Sequence, residues 1–191
     1  LEVMGGFINL PRGQIKPISA SASSIKGARA VFGVMDQTEV WTASNGGELL
    51  AKTMRSNAAK LGGSTLETPN AFIPGQNSVA EDSASFWHQI LSGESKEDAL
   101  LFDHREAPAN TDMSDYDSLM EGLRVAYGDA SADPRGCVIH DPPCKPGWVD
   151  LDRIKSTVWD PSTDPQLARS DFLNQITHAS DSYLSQVDVR A

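Results

Sequence analysis

The feature that most constrains this chain is the apolar run Ala30-Val31-Phe32-Gly33-Val34-Met35, which stops abruptly at Asp36 and is followed by Gln37, Thr38, Glu39, Val40 and Trp41. An apolar run of this kind is the pattern of a strand buried within a sheet. An acid and a cluster of hydrogen-bonding side chains at its carboxyl end mark the place where α/β proteins put their chemistry, so Asp36 is the first candidate site residue. In nucleotide-hydrolysing α/β proteins such a strand delivers one carboxylate to the metal of the bound nucleotide and a neighbouring group to the attacking water.

The segments around this strand fit an alternation of strands and helices. Leu49, Leu50, Met54, Ala58 and Leu61 fall at helical spacing across Glu48–Leu61, and Gly62-Gly63 ends that helix. Ser64–Thr68 reads as a short strand, so a right-handed crossover on a mostly parallel sheet is the expected topology. Upstream, Gly6–Leu10 and Gln14–Ser19 flank Pro11-Arg12-Gly13 and predict a hairpin or a pair of edge strands, with Ala20–Arg29 as a connector. Downstream, Ser78 followed three residues later by Glu81 is a capping-box signature for a helix running to about Leu91, with Phe86, Trp87, Ile90 and Leu91 as its core face. Ala99–Asp103 is a third strand candidate. Helices are expected over Tyr116–Tyr127, Asp150–Val158 and Asp164–Leu184, the last carrying Leu167, Phe172, Ile176 and Tyr183 on its apolar positions, and residues 128–148 read as a loop.

Composition narrows the function classes. Only 39 % of the 191 residues are hydrophobic, and 15 Gly with 11 Pro imply long irregular connections. Residues 1–80 carry seven Lys/Arg against five Asp/Glu, and residues 81–191 carry nine against twenty-one, so a net charge of −10 is concentrated in the second half. Duplexes are bound by neutralising phosphates with Lys and Arg, so that half is a poor surface for nucleic acid. No signal sequence and no run approaching ~18 apolar residues is present, which predicts a cytoplasmic chain outside the membrane, a piece of something longer that begins at Leu1. Cys137, His140 and Cys144 supply only three of the four ligands a structural zinc takes, and read as ordinary loop residues in a reducing compartment. Asp103, Asp112, Asp115 and Asp117 form the other acid-rich stretch and read as solvated loop rather than as a two-metal nuclease centre.

Several stretches together resemble one family: Asp36-Gln37-Thr38-Glu39-x-Trp41, Ser44-Asn45-Gly46-Gly47, Asn57-Ala58-Ala59-Lys60, Glu67-Thr68-Pro69-Asn70-Ala71-Phe72-x-Pro74-Gly75, Ser78-Val79-Ala80-Glu81 and Arg169-Ser170-Asp171-Phe172-Leu173-Asn174-Gln175. They look like the large subunit of a tailed-phage terminase, closest to versions from phages of actinobacteria, over nearly the whole chain. The resemblance implies a P-loop, RecA-like ATPase that drives double-stranded DNA into the prohead, with a nuclease domain of RNase H-like fold in the complete protein. It makes residues 1–106 the C-terminal portion of the ATPase domain and 107–191 a helical and irregular linker towards the nuclease. It also implies the partners of such a motor: ATP with Mg²⁺, double-stranded DNA, the portal, the small terminase subunit and further copies of itself, in the host cytoplasm.

Carried over by residue, the resemblance makes Val31–Asp36 the Walker B strand with Asp36 on Mg²⁺, and Thr68 and Asn70 the coupling residues that sense the γ-phosphate. The chain departs from the family at two points. The glutamate usual after the Walker B aspartate is Gln37, so Gln37 is expected to position the water and Glu39 to act as base. No Gly-x4-Gly-Lys-Ser/Thr loop occurs in these residues, so the ATP site is expected to be half present and the isolated chain inactive. The alternative is a non-catalytic interaction or structural module with a degenerate P-loop fold.

Overall fold

In the computed structural model, residues 2–4, 6–18, 21–96 and 99–177 are described. The chain opens with a three-stranded antiparallel meander: β1 (Glu2–Met4), β2 (Phe7–Leu10) and β3 (Gly13–Ile15). Pro11-Arg12 reverses the chain between β2 and β3, and the register pairs Ile8 with Ile15 and Asn9 with Gln14. The expected hairpin is therefore present, extended by a third strand. The expected Gln14–Ser19 strand ends at Ile15, and Ser19 lies outside the described residues.

A short helix α1 (Ala22–Ile25) leads into β4 (Phe32–Asp36). The 13-residue helix α2 (Gly47–Ala59) then returns the chain to β5 (Ser64–Thr68), which runs parallel to β4 with Phe32 opposite Ser64 and Asp36 opposite Thr68. A close approach fixes the exit from α2. A Cβ at Gly63 would lie 2.2 Å from the Val31 carbonyl oxygen, which itself accepts from the Ser64 amide at 3.1 Å. The protein is thus mixed α/β, but the sheet is not mostly parallel: among the described residues one parallel pair accompanies an antiparallel meander. The meander is antiparallel because its connections span only a few residues, whereas a parallel return needs a crossover as long as α2.

The β4–β5 pair is covered on one face. Gly33 and Met35 point into a cluster formed by Ile25, Leu50, Ala51, Met54 and Val79, with Trp41 packed against it, while Phe32 and Val34 point outward at 56 % and 55 % exposure. The expected strand buried on both faces is therefore buried on one. The start of α3 (Val79–Ser92) closes this cluster, through Val79 and through its amide, which donates to the Trp41 carbonyl at 2.8 Å. Ser78 caps α3 by accepting from the Glu81 amide at 3.3 Å, and the Glu81 carboxylate reaches back to the amides of Gly75 and Asn77 at 2.6 and 2.7 Å. The buried residues of α3 are Val79, Ala80 and Ala84; Phe86, Trp87 and Ile90 are only partly buried, and Leu91 is exposed, so the expected core face lies mostly at the surface.

Residues 99–103 form no strand. Phe102 stacks on Trp87 at 5.8 Å and lies 6.3 Å from His104, so this segment is held by side chains rather than by a ladder. A second cluster follows, in which Ala107, Leu119, Leu123, Leu151 and Leu173 are buried between α4 (Tyr116–Tyr127), α5 (Leu151–Val158) and α6 (Pro165–Phe172). Asp115, Asp150 and Asp164 cap these three helices, each accepting from amides of the first turn. The helix expected to reach Leu184 ends at Phe172, because the chain turns away to bond residues 105–108. Leu173 O accepts from the Ala107 amide at 2.9 Å, Asn174 donates to Arg105 O at 2.8 Å, and Gln175 donates to Ala107 O and Pro108 O. Tyr183 lies outside the described residues. No helix among them is long and apolar enough to cross a membrane.

Candidate functional site

The in-register pairing of β4 and β5 decides where the candidate residues stand. Both strands run the same way and both end at one edge, which puts Asp36 and Thr68 side by side, and the Thr68 hydroxyl donates to Asp36 Oδ1 at 2.7 Å. This edge is the carboxyl side of the strands, the side on which open α/β sheets carry their ligands. Asp36 is exposed there, with one carboxylate oxygen bonded to Thr68.

Beyond Asp36 the chain leaves the strand at once. Gln37 adopts φ 53°, ψ 46°, a left-handed conformation uncommon for a residue with a side chain, and Thr38–Val40 form a 3-10 turn. A continuing strand would put Gln37 and Glu39 on one face, but the left-handed residue ends the strand and turns the chain away at the sheet edge. The turn is fastened on both sides. The Gln37 amide donates to Thr68 O at 3.2 Å, and the fully buried Thr38 donates to Glu67 Oε2 at 3.3 Å. Glu67 is itself gripped by Arg55 of α2 and by the Ser83 hydroxyl of α3 at 3.0 Å. A carboxylate, a guanidinium and two hydroxyls from four different elements thus lock the turn to the two helices. Sequence reading passed over Glu67, Arg55 and Ser83, since residues 12 and 28 positions apart reveal their convergence only once α2 and α3 pack on the same sheet.

Glu39 is the electrostatically unusual member. Its Oε2 is buried and has no hydrogen-bond partner. Burial pushes its pKa above the ordinary glutamate range; the charges of Asp36 and Asp171 add to that shift, and the backbone amides of Glu39 and Asn70 oppose it. Asn70, just past β5, therefore meets the site through its amide, while Asp171 of α6 contributes charge from the second cluster. A half-buried carboxylate beside an exposed aspartate, with its affinity for protons raised, is the arrangement expected of a group that takes a proton during catalysis.

The other acid-rich stretch has structural duties. Asp103 pairs with Arg105 at 3.1 Å, Asp112 accepts from the amide and hydroxyl of Ser114, and Asp115 caps α4. Among the described residues, the only set of three or more His, Cys, Asp or Glu ligands within 4.8 Å of one another is Cys137, His140 and Cys144.

No protein-family description matches the chain, and no solved structure matches it. Two curated proteins are similar to it. The Gene 13 protein of Mycobacterium phage D29 is 31 % identical over 193 aligned residues, and the Gene 13 protein of Mycobacterium phage L5 is 29 % identical over the same length. In both cases the alignment takes in 91 % of this chain and 30 % of the relative, so the chain spans less than a third of the length of the phage proteins it matches.

Proposed function

We propose that this chain is part of the ATPase motor of a tailed-phage terminase large subunit, and that it carries the metal-binding aspartate, the water-activating pair and the coupling residues of that motor. The observation that carries the reading is the Thr68–Asp36 hydrogen bond at the common edge of two parallel strands. It links the residue that would hold Mg²⁺ to the strand end that would report the state of the γ-phosphate. Similarity to proteins of two mycobacteriophages supports a phage origin.

The donor set fits a hard cation: the exposed Asp36 carboxylate and the Thr68 hydroxyl are oxygen ligands, and Mg²⁺ is commonly held by one or two carboxylates together with substrate phosphates. When bound, Mg²⁺ neutralises charge that develops on the transferring phosphoryl group. This chain's own residues do the rest. Gln37, held by its backbone, presents an amide that orients water but cannot deprotonate it; Glu39, with its raised proton affinity, takes the proton. Thr68, at the end of β5 and bonded to Asp36, and Asn70 just beyond it, whose amide faces Glu39, are the coupling residues, and Glu67 next to Thr68 ties that strand end to α2 and α3. The outward face of β4 and β5, with Phe32, Val34 and Leu66 exposed, fits a parallel pair whose second face is covered by a further layer in the complete subunit.

The test is ATP turnover by the complete protein. Mg²⁺-dependent hydrolysis is expected, falling by about 10²-fold or more in Asp36→Ala; no hydrolysis, or hydrolysis unchanged by Asp36→Ala, overturns the reading. The exposed face of the sheet also favours a second reading, a non-catalytic module that docks a partner subunit there. It predicts that Phe32→Ser with Val34→Ser abolishes assembly while Asp36→Ala has no effect.

A further inference from the structure

The loop between α4 and α5 brings together a group of side chains that takes no part in the sheet-edge site. Cys137 Sγ lies 3.1 Å from His140 Nδ1, and the ligand atoms of Cys137, His140 and Cys144 all fall within 4.8 Å of one another. We propose that these three residues bind a zinc ion, with the fourth coordination position open to solvent.

The geometry is close to what zinc imposes. Bonds of about 2.3 Å to sulfur and about 2.0–2.1 Å to nitrogen at tetrahedral angles place such ligand atoms roughly 3.5–3.8 Å apart, so the Cys137–His140 side opens by about half an ångström on binding and the other two, neither longer than 4.8 Å, close by no more than about 1 Å. Two sulfurs and an imidazole are the donor types that select zinc over harder cations. The backbone is already arranged for a thiolate: the Cys144 amide donates to Cys137 Sγ at 3.4 Å. A Cβ at Gly136 would come 2.5 Å from the Cys144 carbonyl oxygen, so only glycine, here at φ +79°, lets the two cysteine arms close on each other.

The loop is anchored independently of the ligands. Arg124 of α4 donates to Gly136 O at 3.0 Å, and Arg135 bridges Asp133 at 2.8 Å and Glu121 at 3.0 Å. Ser131 and Val149 form a bridge across the loop's two ends. A pre-ordered loop lowers the entropy cost of bringing three ligands together. Cys137 is buried, Cys144 partly buried and His140 exposed, so the ion would sit at the surface with one side facing water. The nearby Asp129 carboxylate is paired with Arg105 at 3.0 Å. On binding, each thiol gives its proton to solvent, and zinc undergoes no redox change.

Zinc content tests this directly. The chain, purified under thiol reductant and dialysed against metal-free buffer, is expected to retain stoichiometric zinc by elemental analysis. Cobalt added to the chelator-stripped chain is expected to give thiolate charge-transfer and intense tetrahedral d–d absorption. Cys144→Ser and His140→Ala are each expected to weaken retention by at least about tenfold. Both variants change side chains at the loop surface, and circular dichroism verifies that they fold; His140→Cys, which restores a ligand, is expected to recover binding. No zinc and no cobalt spectrum from the reduced wild-type chain overturns the proposal. So does undiminished zinc in the folded Cys144→Ser and His140→Ala variants, or a Cys137–Cys144 disulfide in protein isolated from a reducing cytoplasm.

Discussion

Glu39 keeps one carboxylate oxygen buried without a partner, and Gln37, two residues earlier, holds a left-handed conformation. A left-handed residue with a side chain costs about 1 kcal/mol, and an unpartnered buried oxygen adds a penalty of its own, so this turn is strained in two ways at the one place where chemistry is proposed. Because folding raises the pKa of Glu39, the folded state holds the proton more tightly than the unfolded chain, and ionisation of Glu39 costs stability. That cost is full above the folded pKa and disappears as pH falls below the ordinary glutamate value of 4.5. Glu39→Gln is therefore expected to raise the thermal midpoint at pH 7, with the advantage over the unaltered chain vanishing near pH 4, as followed by circular dichroism. The same substitution is expected to slow ATP turnover by the complete protein by about 10²-fold, the upper part of the range general-base catalysis gives being 10⁴. A gain in stability with no loss of turnover would leave Glu39 a structural accident. At this scale the sequence showed Asp36 and Glu39 as acids after an apolar run, but the left-handed Gln37 was not legible, since no glycine or asparagine marks the position.

Capping chemistry explains why the helices read well from the sequence. Asp115, Asp150, Asp164 and Ser78 each stand one position before a helix and each accept from its first amides. The Ser78–Glu81 signature placed α3 and apolar periodicity alone placed α4; with the capping acids where the structure has them, both lie within a residue or two of expectation, as does α5. Where long-range bonds set the boundary, sequence failed: α6 stops at Phe172 because Asn174 and Gln175 bond residues 105–108 about 70 positions away. The absent strand at 99–103 failed for a similar reason, since an apolar pattern becomes a strand only beside another strand, and here Phe102 found Trp87 instead. The cap of α3 has a consequence for the site, because the Val79 amide next to it holds Trp41 O. Ser78→Ala is expected to destabilise the chain by about 1 kcal/mol in urea titration. It should also speed exchange of the amides of Thr38–Trp41, which are tied to α3 through Trp41 and Glu67; faster exchange confined to 79–82 would show that the cap does not support the turn.

Over the whole molecule, the two groups of buried side chains stand apart in sequence and in packing. Ile25, Met35, Leu50, Met54 and Val79 pack among β4, α1, α2 and α3, whereas Leu119, Leu123, Leu151 and Leu173 pack among α4, α5 and α6. The stack of Trp87, Phe102 and His104 lies along the chain between them, and Asp171 reaches Glu39 only by its charge. Each cluster is small, and contiguous packing units of this size open with their own free energies. Leu50 is 4 % exposed and Leu123 fully buried, so truncating either to alanine is expected to cost about 2–5 kcal/mol in its own unit. Under hydrogen exchange, Leu50→Ala should loosen β4, β5 and α2 while α4 and α5 keep their protection, and Leu123→Ala should do the reverse. Protection lost evenly in both units would mean one cooperative core. The outcome bears on the proposed function: if the units open separately, the Asp171 charge that adds to the raised proton affinity of Glu39 is withdrawn as α6 opens, and the proton affinity of the proposed base falls with it.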